Sequence, residues 1–231
     1  MQTLLDAVRQ AFLLVIQLDP VVVEVLLRSL QVSLGALLIS AAVGIPAGAA
    51  LALTNFPGKR GLTALVYTGM GLPPVVVGLV VYLFLSRRGV LGPLDWLFTV
   101  QAMIIAQIII ATPLVIGLTM SSILGVDPNL RPQLKALGAT RLQATRAILY
   151  EARLGVLVAL IAGFGRIIAE VGAVILAGGN IEGKTRVLTT AIVLETRRGN
   201  FDLALALGIV LLSIAFVLNF TLVMLQGKPP A

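Results

Sequence analysis

The 231 residues contain no cysteine and no histidine. That excludes disulfides, thiolate or imidazole metal sites, and histidine acid–base chemistry. Charge is also scarce: 12% of residues are Asp, Glu, Lys or Arg, against roughly 25% in an average soluble domain. With 58% hydrophobic residues and a mean hydropathy of +1.05, the chain could not clothe a water-facing surface in polar groups. Lipid is its natural solvent.

What is abundant is uninterrupted apolar sequence. No charge stands between Arg28 and Lys59, Arg60 and Arg87, Asp95 and Asp127, or Asp202 and Lys228. Each gap accommodates the about 20 apolar residues of a membrane-spanning helix. Backbone groups in lipid must bond internally, so helices are expected. A closed barrel would alternate apolar and polar positions, and these runs do not. The net charge of +7 is scattered over short loops, which points to membrane interfaces rather than nucleic acid.

Five spans are read: about 23–53, 62–86 (interrupted at Leu72-Pro73-Pro74), 96–123, 154–177 and 201–225. Residues 1–18 have helical apolar spacing and little of the pattern of a cleaved signal. They read as an interfacial helix, ahead of a single membrane domain over 19–231. In the first span, Gly44 and Gly48 form a small-residue pair suited to close helix packing. Lys/Arg counts on the two sides nearly tie. Lys59, Arg60, Arg131, Lys135, Arg141, Arg146, Arg153 and Lys228 face Arg9, Arg28, Arg87, Arg88, Lys184, Arg186, Arg197 and Arg198. Charge bias alone therefore leaves the orientation open. The segment 127–151 is placed inside, the N-terminus outside and the C-terminus in the cytoplasm.

Segment 127–151 carries the most readable local signals. Asp127-Pro128 suits a helix start. Leu130, Leu134 and Leu137 share a face, Gly138 ends that helix, and Thr140 with Gln143 has capping-box spacing for a second. Helix, glycine turn, helix makes either a knob for a partner's groove or a basic hairpin on lipid headgroups.

Ala136-Leu137-Gly138-Ala139-Thr140, with Ile148 ten residues after the glycine, resembles the coupling loop of ABC importer permeases. That pattern is Glu-Ala-Ala, three residues, Gly, nine residues, then Ile-x-Leu-Pro. Here Pro132-Gln133-Leu134 replace Glu-Ala-Ala and Glu151 replaces the proline, so the residue that makes the family's usual acidic contact to its ATPase is absent from this position, while the shape of the knob is kept. Gly71-Leu72-Pro73-Pro74-Val75-Val76-Val77-Gly78 with Ser86-Arg87-Arg88-Gly89 is similar to the molybdate/tungstate permeases, closest to the tungstate branch. So are 163–173 and Gly179-Asn180-Ile181 with Gly183-Lys184-Thr185.

The resemblance implies an all-α, MetI-like membrane domain in the prokaryotic inner membrane that translocates an oxyanion. Its partners would be a second copy of itself, two cytoplasmic ATPases that carry ATP and Mg²⁺, and an extracytoplasmic oxyanion-binding protein. The chain itself would hold no cofactor and catalyse no reaction. It also implies contact with the ATPase at Arg131, Gln133, Leu134, Ala136, Leu137, Gly138, Ala139, Thr140 and Arg141. A self-contained secondary anion transporter or channel is the competing reading, and it should bring inverted repeats or acidic relays that are not evident.

Candidates for the translocation path are Thr68, Pro73, Pro74, Thr112, Thr119, Arg166, Glu170, Asn180 and Lys184. The prolines break or bend spans where a cavity can be lined, and the threonines offer hydroxyls. Arg166 and Glu170, four apart, read either as a path arginine tempered by a carboxylate or as an internal ion pair. The ion pair is preferred, because a bare carboxylate would repel the anion. Gly178 to Thr185 also satisfies the phosphate-loop pattern G-x-x-x-x-G-K-[ST]. It is rejected as an ATP site because that motif needs a strand in a parallel sheet. The loop and Lys184 read either as an outer receiver for the anion or as a plain connecting turn.

Overall fold

A computed structural model describes residues 4–226, so residues 1–3 and 227–231, with Lys228, lie outside the described part. The described residues form α-helices joined by short turns, with no strand among them. The helices are α1 (Leu4–Ile16), α2 (Pro20–Leu53), α3 (Lys59–Met70), α4 (Pro74–Leu85), α5 (Val100–Leu124), α6 (Leu130–Ala136), α7 (Arg141–Glu151), α8 (Arg153–Ile168), α9 (Gly172–Gly178), α10 (Leu188–Arg198) and α11 (Phe201–Gln226). Among the described residues, only α2, α5 and α11 are each long and apolar enough to cross a membrane. The bent pairs α3–α4, at 100°, and α7–α8, at 66°, bring the number to five.

The bundle is built on α2 and α5. A Cβ on Gly48 would stand 2.7 Å from the Ile116 carbonyl oxygen, and one on Gly44 2.8 Å from Val115 Cγ1. The small-residue pair therefore packs α2 against α5, as its spacing suggested. The central core joins Ala36 of α2, Val77 and Val81 of α4, Ala106 and Ile110 of α5, Ile167 of α8, and Ala173 and Ala177 of α9. The N-terminal helix α1 does not stand alone, since Ala11 is fully buried in a cluster with Val22, Val25, Leu188, Ala206 and Leu207.

Three boundaries differ from expectation, each because polar bonds, local or tertiary, win over the apolar pattern. The third span starts at Val100 rather than Trp96: Thr99 caps it, its hydroxyl accepting from Ala102 N–H at 3.5 Å, and Phe98 N–H is spent on the Ala177 carbonyl at 2.9 Å. The fourth is not continuous to Ala177. It stops at Ile168 and resumes at Gly172. The Asp127-Pro128 pair forms a turn, with Asp127 Oδ1 accepting from Asn129 N–H at 2.9 Å, and the helix begins only at Leu130.

Candidate functional site

Two places stand out, at opposite ends of α5. The first is the α6–α7 hairpin. Leu137 is 84% exposed at its tip, and Gly138 follows at φ +81°, a left-handed conformation that costs a residue with a Cβ. Thr140 starts α7 with the expected capping box: its hydroxyl accepts from Gln143 N–H at 3.3 Å, and Gln143 Oε1 accepts from Thr140 N–H at 2.8 Å. Gln133, Ala136, Thr140 and Arg141 are exposed, and Leu134 and Ala139 are half-buried. Arg131 is set apart, for its guanidinium turns inward and donates to the Leu53 carbonyl at the end of α2, at 2.6 Å. The hairpin's root is apolar, with Ile148 and Ala152 packed on Ala49 and Ile123.

The second place is where the two broken spans meet. A Cβ on Gly78 of α4 would fall 2.6 Å from Ala173 Cα, and one on Gly172 2.6 Å from Val75 Cγ2. The two sequence stretches, 71–78 and 163–173, thus touch in space. At the α8–α9 break, Glu170 does two jobs. Its Oε2 accepts from Arg166 Nη1 at 3.2 Å and its Oε1 accepts from Ala173 N–H at 3.2 Å, near the start of α9. The preferred ion pair is formed, with Glu170 buried and Arg166 40% exposed.

Side chains from other helices add to the backbone bonds at the break. Gln107 Nε2 donates to Ile167 O at 3.0 Å, and Thr189 Oγ1 to Glu170 O at 2.7 Å. Neither Gln107 nor Thr189 was singled out in the sequence. The signal was available for Gln107, a lone amide deep in the apolar run 102–111, since polar groups inside lipid commonly join helices.

The other candidates are dispersed. Thr112 donates to Ser40 Oγ at 3.1 Å across α5 and α2, and Thr119 is fully buried against Gly48. Both hydroxyls lie inside the packed α2–α5 seam. Thr68 is exposed and donates back to the Ala64 carbonyl, and Pro73 is exposed at the α3–α4 bend.

The loop after α9 uses much of its own backbone. The N–H groups of Lys184, Thr185 and Arg186 all donate to Ile181 O, and the Thr185 hydroxyl donates to Gly178 O while accepting from Ile181 N–H. A phosphate loop would aim such groups at its ligand, and here a helix, not a strand, precedes it. Asn180 stands at φ +53° with Nδ2 on the Thr190 carbonyl at 3.5 Å, and Lys184 is exposed. Arg28 and Ser29 of α2 hold this loop, through Gly183 O at 3.3 Å and Leu188 N–H at 2.7 Å.

Known proteins resemble this arrangement. Residues 44–228 match the family described as binding-protein-dependent transport system inner membrane component. A tungstate uptake system permease protein of Peptoclostridium acidaminophilum is 41% identical over 228 residues, covering 99% of this chain and 100% of that one. A probable anion ABC transporter permease protein of Haloferax volcanii is 44% identical over 196 residues, 83% of this chain and 84% of that one. Among solved structures, an inward-facing methionine ABC transporter superposes with a TM-score of 0.74 over 90% of this chain and 96% of that one, at 19% identity.

Proposed function

The chain belongs to the family of binding-protein-dependent transport system inner membrane components, and from that membership we propose that it is the membrane-spanning permease of an ATP-driven importer for tungstate or molybdate. Tungstate is favoured by the match to a tungstate permease along the whole chain. The chain is a transport subunit, not an enzyme. ATP and Mg²⁺ belong to a separate ATPase, two copies of which serve two copies of this permease. An extracytoplasmic binding protein delivers the oxyanion and does most of the discrimination between two nearly identical dianions.

The observation that carries the reading is the α6–α7 hairpin. It offers an exposed leucine tip, a left-handed glycine turn and a self-capped second helix, a shape that a groove on another protein can grip. Gln133, Leu134, Ala136, Leu137, Gly138, Ala139, Thr140 and Arg141 are its contact set. The hairpin faces the cytoplasm, with the N-terminus outside and the C-terminus inside. The anion passes along the face where α4 meets the α8–α9 break, with Thr68, Pro73 and Pro74 nearest to it, the Arg166–Glu170 ion pair holding the break beside it, and Asn180 and Lys184 at the outer entrance.

Co-expression with the ATPase tests this. The two should purify together, and Leu137→Asp should abolish the association while leaving the permease's own melting temperature within about 1 °C, because an exposed side chain contributes little to the fold. Purification of a stable permease that never retains an ATPase would refute the reading. Titration calorimetry of the binding protein with tungstate and molybdate settles the anion.

A further inference from the structure

The hairpin carries several cations, and one of them differs from the rest. Lys135, Arg141 and Arg146 are exposed, whereas Arg131 is half-buried and spends its guanidinium on Leu53 O at 2.6 Å. That carbonyl is one of the last of α2, where the final turn lacks intrahelical donors and the helix dipole favours a cation. Its neighbours are already served: Thr54 N–H and Oγ1 both donate to Ala50 O, and Lys59 Nζ donates to Thr54 O. Among the described residues, Arg131 makes the one hydrogen bond from the hairpin to α2. The apolar cluster around Ala49, Ile123 and Ile148 also joins hairpin and bundle, but apolar contact is non-directional and tolerates sliding. A charge-assisted hydrogen bond does not.

The opposite half of α2 is tied as well. Arg28 and Ser29 bond Gly183 O and Leu188 N–H, on either side of the outer loop. With 34 residues, α2 is the longest helix among the described residues; it stays helical past its interior Pro46, and Ser29 and Leu53 stand about 36 Å apart along it at the rise of an α-helix.

We propose that Arg131 is a positioning residue for coupling: it fastens the hairpin to the inner end of α2, so that α2 carries the hairpin's displacement to the outer loop as a rigid strut. The inference rests on the importer reading and adds a route to it. Force applied at the Leu137 tip reaches α8 through the chain, and α2 through one directional hydrogen bond beside the apolar packing on Ala49.

The test uses the permease with its ATPase and binding protein in proteoliposomes, with tungstate as the probe. Tungstate taken up and ATP hydrolysed are measured together, with assembly of the complex as a control. Arg131→Met removes the donor and keeps much of the apolar stem. Uptake per ATP should fall about tenfold, the scale of losing one charge-assisted hydrogen bond. Arg131→Lys, whose ammonium can donate to the same carbonyl, should recover most of that loss. A purely structural role would lower yield and melting temperature in both variants and leave uptake per ATP unchanged, and that result overturns the proposal. So does an unaltered ratio in a well-assembled Arg131→Met complex. If the wild-type complex itself shows no ATP-dependent uptake, the importer reading falls and takes this inference with it.

Discussion

The α3–α4 and α8–α9 breaks, which touch in the bundle, have different causes. Between α3 and α4 the chain turns through 100° using only its own covalent geometry and local backbone bonds: Gly71 N–H to Thr68 O, Leu72 N–H to Gly69 O, and Val76 N–H to Pro73 O. Two consecutive prolines make helix continuation impossible there. Between α8 and α9 there is no proline. That break stands with Gln107 of α5 and Thr189 of α10 bonding its carbonyls, and with Glu170, in the break itself, accepting from Ala173 N–H. One break is imposed by sequence and the other is purchased by tertiary contacts. Substitutions at each should therefore fail in different ways.

The largest effect is expected where the two breaks press together. Gly78→Val would drive a Cβ to 2.6 Å from Ala173 Cα, a backbone atom that cannot swing aside. Overpacking against backbone should cost about 3 kcal/mol, read as a lowered unfolding midpoint in detergent and loss of the assembled complex. A midpoint within error of wild type would show that the two broken spans can part freely.

Next comes Arg166→Leu. It leaves the Glu170 carboxylate buried without its cation. Breaking a fully buried pair costs about 3–5 kcal/mol. The Arg166 side chain is 40% exposed, so solvent screening lowers the expected loss to about 2 kcal/mol. The discriminating measurement is competition among tungstate, molybdate and sulfate for uptake. An ion pair that only holds the break predicts unchanged preference in the surviving transporter, and a changed preference would move Arg166 onto the anion path.

The same contrast explains what could be read from the sequence. Pro73-Pro74, Gly138, the Thr140–Gln143 capping box and the Gly44–Gly48 pair are local signals, and each produced the local structure expected of it. The four apolar windows located α2, the α3–α4 region, α5 and α11 within a few residues. The fourth span was misread because the run from Leu154 to Ala177 is apolar apart from Arg166 and Glu170. Nothing local shows that Glu170 will cap Ala173 rather than sit on a helix face. The support from Gln107, which bonds Ile167 O 60 residues on, and from Thr189, which bonds Glu170 O 19 residues back, is visible only once α5, α8 and α10 are packed. Arg131 shows the same limit: the hairpin was legible, but not that one of its cations belongs to α2.

Thr189→Val probes that tertiary dependence directly. The change is nearly isosteric and removes the 2.7 Å donor to Glu170 O. A buried carbonyl left unpaired should cost about 1.5 kcal/mol. Amide exchange at Ala173 and Ile175 should accelerate with it, since the start of α9 loses its fixed reference. Unchanged exchange there would mean that the break holds itself.

The smallest effect is expected at the prolines, although they are the more conspicuous break. Pro73 caps α4 at φ −65° and ψ 122°, a conformation alanine adopts without strain, and its carbonyl still receives Val76 N–H. Pro73→Ala should cost about 0.5 kcal/mol, mostly through a freer unfolded chain. Pro74 continues to bar helix at position 73. With Pro74→Ala added, the sequence no longer forbids a continuous helix, but the seat of Gly78 on Ala173 and of Val75 on Gly172 still requires the turn. The chain has no cysteine, so Val75→Cys with Gly172→Cys reports on that seat alone. A Cβ at 172 lies 3.5 Å from Val75 Cα, within reach of a disulfide. The pair should cross-link as readily in the proline-free background as in the parent. If cross-linking disappears there, the prolines alone hold α4 against α9, and the distinction between an imposed and a supported break reduces to covalent geometry on one side only.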